Sequence, residues 1–415
     1  MARAAEGGAA TWRSVVASGE FRALFAAQLL SVLGDQFARV ALSVLVFERT
    51  DSAGWTALTY GLTYLPDLVS GPLLSGLADR YPRRAVMVVS DVGRAVLVVV
   101  MALPGLPLWC AAVLLVCVQA LGAPHGAARG ATLAAALSGD RFTVAAAAQD
   151  GMVQTSQLVG FATGGAVVAL LGVGEGLLLD AASFALSALL VRFGVRARPA
   201  PNGPAEPGAS TAGFWWLSLR TGAALVWGDR RLRALLALAC VAGFYVTVEG
   251  LAVPYAAEIG TSTAAVGLLL AANPAGTVLG TVLVTRLAPH RRLRLLGPLA
   301  VAACLPLVLC AWQPGLLPTL LLWGLSGAAS GYHTIARAAF VQRVPDRQRG
   351  QCLGLAVTAL RTAQGGGIVL AGLAATAMPA STTVAVAGGL GALVALAATA
   401  SWRRAATAAG PGATG

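Results

Sequence analysis

Charge is scarce in this chain, and the places where it interrupts apolar runs mark the residues able to do chemistry. In a helix surrounded by hydrocarbon a charged side chain costs roughly 3 kcal/mol, so it faces a cavity or an opposite charge. Asp35 lies 13 residues from both Arg22 and Glu48, and Asp67 lies 12 from both Trp55 and Asp79, which centres each carboxylate in its run. Glu249 is an acid with no arginine near it in its run. Carboxylates held in low dielectric are suited to exchange protons, so Asp35, Asp67 and Glu249 are the candidates for proton coupling. Arg39 follows Asp35 at i,i+4, a spacing that permits an ion pair along one helix face. Arg39 is 17 residues in from Arg22 and Glu249 is 16 in from Arg233, so the two share a depth and could instead form a gate between helices. Asn273, before Pro274, interrupts a helix and is a further cavity candidate. Asp91 and Arg94 at i,i+3, with Arg129 within reach of Asp79 or Asp150, make a candidate inner charge network. Asp180, Arg337 and Arg361 also stand in apolar surroundings, where helix pairing is the expected role.

Other chemistries find little to work with. His125, His290 and His333 are scattered, and Cys110, Cys117, Cys240, Cys304, Cys310 and Cys352 form no CxxC pair or metal-ligand spacing, so no metal or other cofactor is expected. Walker, HExxH and GxSxG motifs are lacking, which argues against an enzyme and against ATP-driven transport by this chain. "QGGGIV", from Gln364, has neither a preceding strand nor a following GK[ST], and is read as close helix packing.

The elements that position these residues follow from composition. Of 415 residues 57% are hydrophobic and 11% charged, too little polar surface for a soluble fold of this size. Apolar runs of about 20 residues, the length of a membrane-crossing helix, recur throughout. They predict twelve spans: 22–47, 55–78, 84–103, 108–129, 147–170, 176–193, 232–257, 263–286, 293–311, 316–341, 350–377 and 381–401. The first run has no cleavage site after it and is expected to remain as a helix. All 29 basic residues are arginines; with the N-terminus inside, 23 fall on cytoplasmic segments and Arg49 falls outside, which predicts both termini in the cytoplasm. The net charge of +12 is thus a topology signal, and no nucleic-acid partner is expected. Between the sixth and seventh spans lies a Pro/Gly-rich linker and then "GFWWLSLRTGAALVW", read as a helix along the inner interface. The predicted organisation is a six-helix bundle (1–193), a cytoplasmic linker (194–231) and a second six-helix bundle with a short tail (232–415). "FRALFA" from Phe21 matches "LRALLA" from Leu232, and "GPLLSGLAD" from Gly71 matches "GTVLVTRLA" from Gly280, so the halves read as parallel repeats.

One polar cluster is left: "SGLADRYPRRAVMV", Ser75 to Val88, between the second and third spans. Gly76 allows close helix approach, Pro82 forces a turn, and Asp79 can meet a helix N-terminus or an arginine. "GLADRYPRR" resembles the loop signature of the major facilitator superfamily, an all-α membrane fold of two six-helix bundles. The resemblance implies that Gly76, Asp79, Arg80, Arg83 and Arg84 form a conformational latch at the inner helix ends. In the second half Ala288 stands where Asp79 would be. "LSVLGDQFARVALSVLVF", "YLPDLVSGPLLSGLADR", "LLLDAASFALSALLV" and "VPDRQRGQCLGLA" resemble bacterial multidrug and siderophore exporters of this superfamily. That branch implies proton-driven export of small amphipathic molecules from a cell-membrane monomer; its partners are the substrate, protons and the bilayer. A nutrient importer is the alternative with the same fold, and a membrane receptor or enzyme the alternative of another class.

Overall fold

The computed structural model describes residues 12–74, 76–137, 140–200, 220, 222–345 and 348–407. The described residues are helical, with no strand among them. Twelve rods run in alternating directions: α1 (Gly19–Thr50), α2 (Ala53–Gly61 and Pro66–Leu74), α3 (Arg83–Met101), α4 (Leu108–Ala136), α5 (Asp140–Leu171), α6 (Val173–Gly194), α7 (Arg230–Cys240, Ala242–Tyr245 and Thr247–Glu258), α8 (Thr263–Thr285), α9 (Pro289–Cys304 with the 3-10 turns Leu305–Trp312), α10 (Leu316–Ser330 and Tyr332–Arg343), α11 (Arg349–Ala374) and α12 (Ala380–Thr407). Among the described residues, nine of the twelve rods are long and apolar enough to cross a membrane. The other three have local reasons to fall short. Pro66 breaks α2, α10 is interrupted at Gly331, and α3 carries Arg84, Asp91 and Arg94.

The rods correspond to the expected spans, and several outrun them. α4 continues to Ala136 and α5 begins at Asp140, because alanine-rich sequence propagates a helix beyond the apolar run. "FRALFA" and "LRALLA" each begin at the third residue of their rod, α1 and α7. Residues 222–228, the end of the expected interfacial helix, are helical, with Gly222 against the start of α11; the stretch before them lies outside the described residues.

Helices α1 and α3 pack on α6, α1 on α5, and α4 on α2 and α3; in the second half α8 packs on α10, and α7 and α9 on α12. Between the halves, α5 meets α8 and α2 meets α7 and α11. These crossings are tight towards the arginine-poor end. A methyl group on Gly165 of α5 would come within 2.6 Å of the Gly267 backbone of α8, and one on Gly372 of α11 within 2.6 Å of the Ala57 side chain of α2. Small residues let helix backbones approach closely where hydrocarbon offers no hydrophobic drive. At that end the Glu258 carboxylate accepts from the N–H groups of Ala380 and Ser381 at the α12 N-terminus, and Arg49 donates to the Leu106 carbonyl at 2.6 Å.

Candidate functional site

Pro66 has no N–H, so α2 ends at Gly61 and passes through a turn over residues 62–65. Gln119 of α4 satisfies the Thr63 carbonyl there at 3.0 Å. The turn carries Tyr64 four residues after Tyr60, and both side chains reach α7 of the other half. The Tyr60 hydroxyl donates to Glu249 Oε2 at 3.0 Å, and the Tyr64 hydroxyl to the same oxygen at 2.8 Å. Both tyrosines are buried, at 1% and 5% exposure. Glu249 lies in the first turn of the last α7 segment, where the positive end of the helix dipole favours a carboxylate. Nine residues separate it from Glu258, placing it roughly 13 Å below the arginine-poor end of the rod.

Two arginines complete the cluster through the rings. The Arg39 guanidinium of α1 lies 5.9 Å from the Tyr60 ring centre and 5.5 Å from that of Tyr64, while Arg361 of α11 lies 5.4 Å from the Tyr64 ring. Such contacts stabilise a cation by about 1 kcal/mol, more where water is excluded. Arg39 and Glu249 both contact the two phenols, which stand between them in place of a direct ion pair. Both halves contribute, so the cluster exists only while they are together at this level.

A second polar network is internal to the first half. The Arg94 guanidinium of α3 donates to Asp35 Oδ1 of α1 at 3.0 Å, with Ser31 Oγ at 3.5 Å, and lies 3.9 Å over the Phe184 ring of α6. Asp35 therefore pairs between helices with Arg94 and not along its own helix with Arg39, whose guanidinium is held by the α2 rings. Asp91 does not pair with Arg94 at i,i+3 either. It is fully buried and accepts from Ser187 of α6 at 2.6 Å, with His125 Nε2 of α4 3.4 Å from the same oxygen. Asp180, also buried, has Ser183 3.4 Å from its Oδ1. Helix α6 thus supplies Phe184 to Arg94 and Ser187 to Asp91, and it divides the two charges between neighbours. Arg129 stands on α4 one turn beyond His125.

At the arginine-rich end Gly76 precedes the short helix Leu77–Arg80 and Pro82 precedes α3. Arg80 is exposed. Arg83 donates to the Ala131 carbonyl of α4 at 3.0 Å, and Arg84 to the carbonyls of Arg192, in the last turn of α6, and Val195, just past it, at 3.4 and 3.3 Å. The side chains of Asp67, Asp79 and Asp150 lie outside what is described. Asn273 sits on α8, its carbonyl accepting from Thr277 at 3.0 Å and its amide nitrogen buried without a bonded partner among the described residues. In the second half Tyr245 of α7 bonds His333 Nε2 of α10 at 2.6 Å. Sequence reasoning passed over Tyr60, Tyr64 and His125. The available signals were the i,i+4 tyrosine pair just before a helix-breaking proline and a histidine buried next to Pro124.

The cluster of Tyr60, Tyr64, Glu249, Arg39 and Arg361 lies where the two helical halves of a multi-pass membrane protein meet. The Major Facilitator Superfamily model matches residues 24–330, and the chain belongs to that superfamily. A POT family transporter solved in complex with 5-aminolevulinic acid is similar in structure, with a TM-score of 0.72 at 12% identity over 93% of this chain and 96% of that one. A mutant of nucleoside transporter NupG gives 0.67 at 15% identity over 92% and 100%. A bacterial homologue of the human lysosomal transporter Spinster, solved inward-facing and unoccupied, gives 0.63 at 16% identity over 94% and 96%. At these identities the likeness is one of fold. No curated protein matches this chain.

Proposed function

We propose that the protein is a proton-coupled secondary transporter that exports small amphipathic molecules by alternating access, as a monomer in a bacterial cell membrane. The observation that carries the mechanism is the bonding of Glu249 in one half to Tyr60 and Tyr64 in the other, just below the tight α2–α11 and α5–α8 crossings. Opening at that end requires both hydroxyls to leave the carboxylate and at least one arginine to leave the Tyr64 ring. The cluster is therefore the gate, and Arg39 and Glu249 act through the tyrosines. With the arginine-rich end and both termini cytoplasmic, the closed end is external and this conformation faces inward. Residues 194–231 are then the cytoplasmic connection between the bundles.

Asp35 is the first choice for the coupling proton, because it is the partly exposed member of an otherwise buried ion pair, at 28% against 6% for Arg94. A proton arriving on Asp35 removes the charge that holds Arg94, leaving it the longer Ser31 contact and the Phe184 ring, and so weakens the tie between α1 and α3. Asp67 and Glu249 are the next choices for that proton. Arg83 and Arg84, bonded to helix-end carbonyls of α4 and α6, hold the latch loop containing Gly76, Asp79 and Arg80. Small-molecule cargo is supported by fold neighbours solved with 5-aminolevulinic acid and with a thioalcohol-conjugated peptide. Export and an amphipathic cargo rest on the sequence resemblance and on the apolar character of the helices.

Transport of a panel of lipophilic cations in proteoliposomes, under an imposed pH gradient of either sign, tests the reading. Asp35→Asn should keep downhill exchange and lose uphill movement. Uphill transport at the normal rate in both Asp35→Asn and Glu249→Gln would remove proton coupling from these groups, and accumulation in the opposite sense would make the protein an importer.

A further inference from the structure

The transport reading leaves a cavity of about 410 Å³ at the arginine-rich end of the first half unused. Arg83 and Arg84 of α3 line it, as do Ala135 of α4 and, beyond the end of α6, Val195, Arg196 and Arg198. Arg83 and Arg84 each direct one nitrogen at helix-end carbonyls. Arg198 donates to both oxygens of Glu20, at 2.9 and 2.7 Å, and the Arg196 backbone N–H bonds the same carboxylate at 2.8 Å. A guanidinium has five N–H donors, so each of the four retains donors after these contacts. Among the described residues Glu20 is the one acid bonded to them, so arginines outnumber acids around a cavity with alanine and valine in its wall.

Arginines in a fork of this kind fit a phosphate oxyanion better than any neutral group. The surroundings choose between sources of phosphate. The cavity lies at the ends of membrane-spanning helices, and Tyr81 and Phe193, each two positions along the chain from a lining residue, are 56% and 81% exposed, as aromatics at a bilayer interface are. We propose that this cavity binds the phosphate of an anionic phospholipid headgroup, with Arg83, Arg84, Arg196 and Arg198 as donors. Basic recesses between helix ends at the cytoplasmic leaflet select such lipids. Glu20 competes with the phosphate for Arg198. The lipid thereby bridges the latch loop and the segment that follows α6.

The full-length protein in detergent is titrated with short-chain phosphatidylglycerol, phosphatidylcholine and inorganic phosphate, and bound lipid is counted by native mass spectrometry. Phosphatidylglycerol should bind saturably and at least tenfold more tightly than phosphatidylcholine. The double variant Arg196→Gln/Arg198→Gln lies outside the helices and should weaken it about thirtyfold. Glu20→Gln should tighten it several-fold, which no folding defect would produce. Arg141→Gln/Arg286→Gln removes the same charge from exposed positions outside the cavity and should change nothing. An equal loss in that control, equal binding of the two lipids, or displacement of phosphatidylglycerol by millimolar inorganic phosphate would each overturn the assignment.

Discussion

Replacing Tyr64 by phenylalanine removes one hydroxyl and leaves the ring against which Arg39 and Arg361 are placed. What is lost is the 2.8 Å hydrogen bond to Glu249 Oε2, while the 3.0 Å bond from Tyr60 remains. A hydrogen bond to a charged acceptor contributes about 2 kcal/mol net. Because donor and acceptor belong to different halves, that energy is present only in the conformation closed at the arginine-poor end. The equilibrium between closed and open should therefore shift towards open by roughly thirtyfold. Spin labels at Leu103 and Trp312, which are 54% and 78% exposed at that end of the first and second halves, report the separation directly. In a background without the six native cysteines, Tyr64→Phe should populate a longer distance that is minor in the parent. Tyr60→Phe should do the same, and the double variant more than either. An unchanged distance distribution in all three variants would refute the idea that these hydroxyls hold the halves together.

Three further outcomes follow from the same geometry. Arg94→Gln leaves Asp35 without its cation in a mostly buried site, so stability should fall by roughly 3 kcal/mol, and Asp35→Asn added to it should recover most of the loss in a thermal unfolding series. Gly165→Val places a side chain against the Gly267 backbone and should prevent closure at the arginine-poor end, read as increased labelling there and a large drop in transport. Arg49→Gln removes a 2.6 Å bond to the Leu106 carbonyl on an exposed loop and should change stability by less than about 1 kcal/mol in the same unfolding series.

The twelve rods were legible because helix formation is local. Each span closes its own backbone hydrogen bonds, so run length, proline positions and arginine placement are enough to predict where it starts, stops and turns. The glycines, the "GLADRYPRR" loop and the depth of Glu249 could be read the same way. Partner choice could not. An i,i+4 spacing permits Asp35 to meet Arg39, yet Arg94 takes Asp35 because α3 and α1 are packed with Phe184 beneath the guanidinium. Glu249 meets hydroxyls 185 and 189 positions away, and Asp91 meets Ser187 96 positions away, through rotations of α2, α6 and α7 that no local pattern encodes. In hydrocarbon, helix rotation and depth are set by close packing and by the need to satisfy each buried polar group. That is why the chain alone could single out Arg39, Glu249 and Asp35 as charges inside spanning helices, while the two tyrosines, the histidine and the pairing among them emerged only when the helices were brought together.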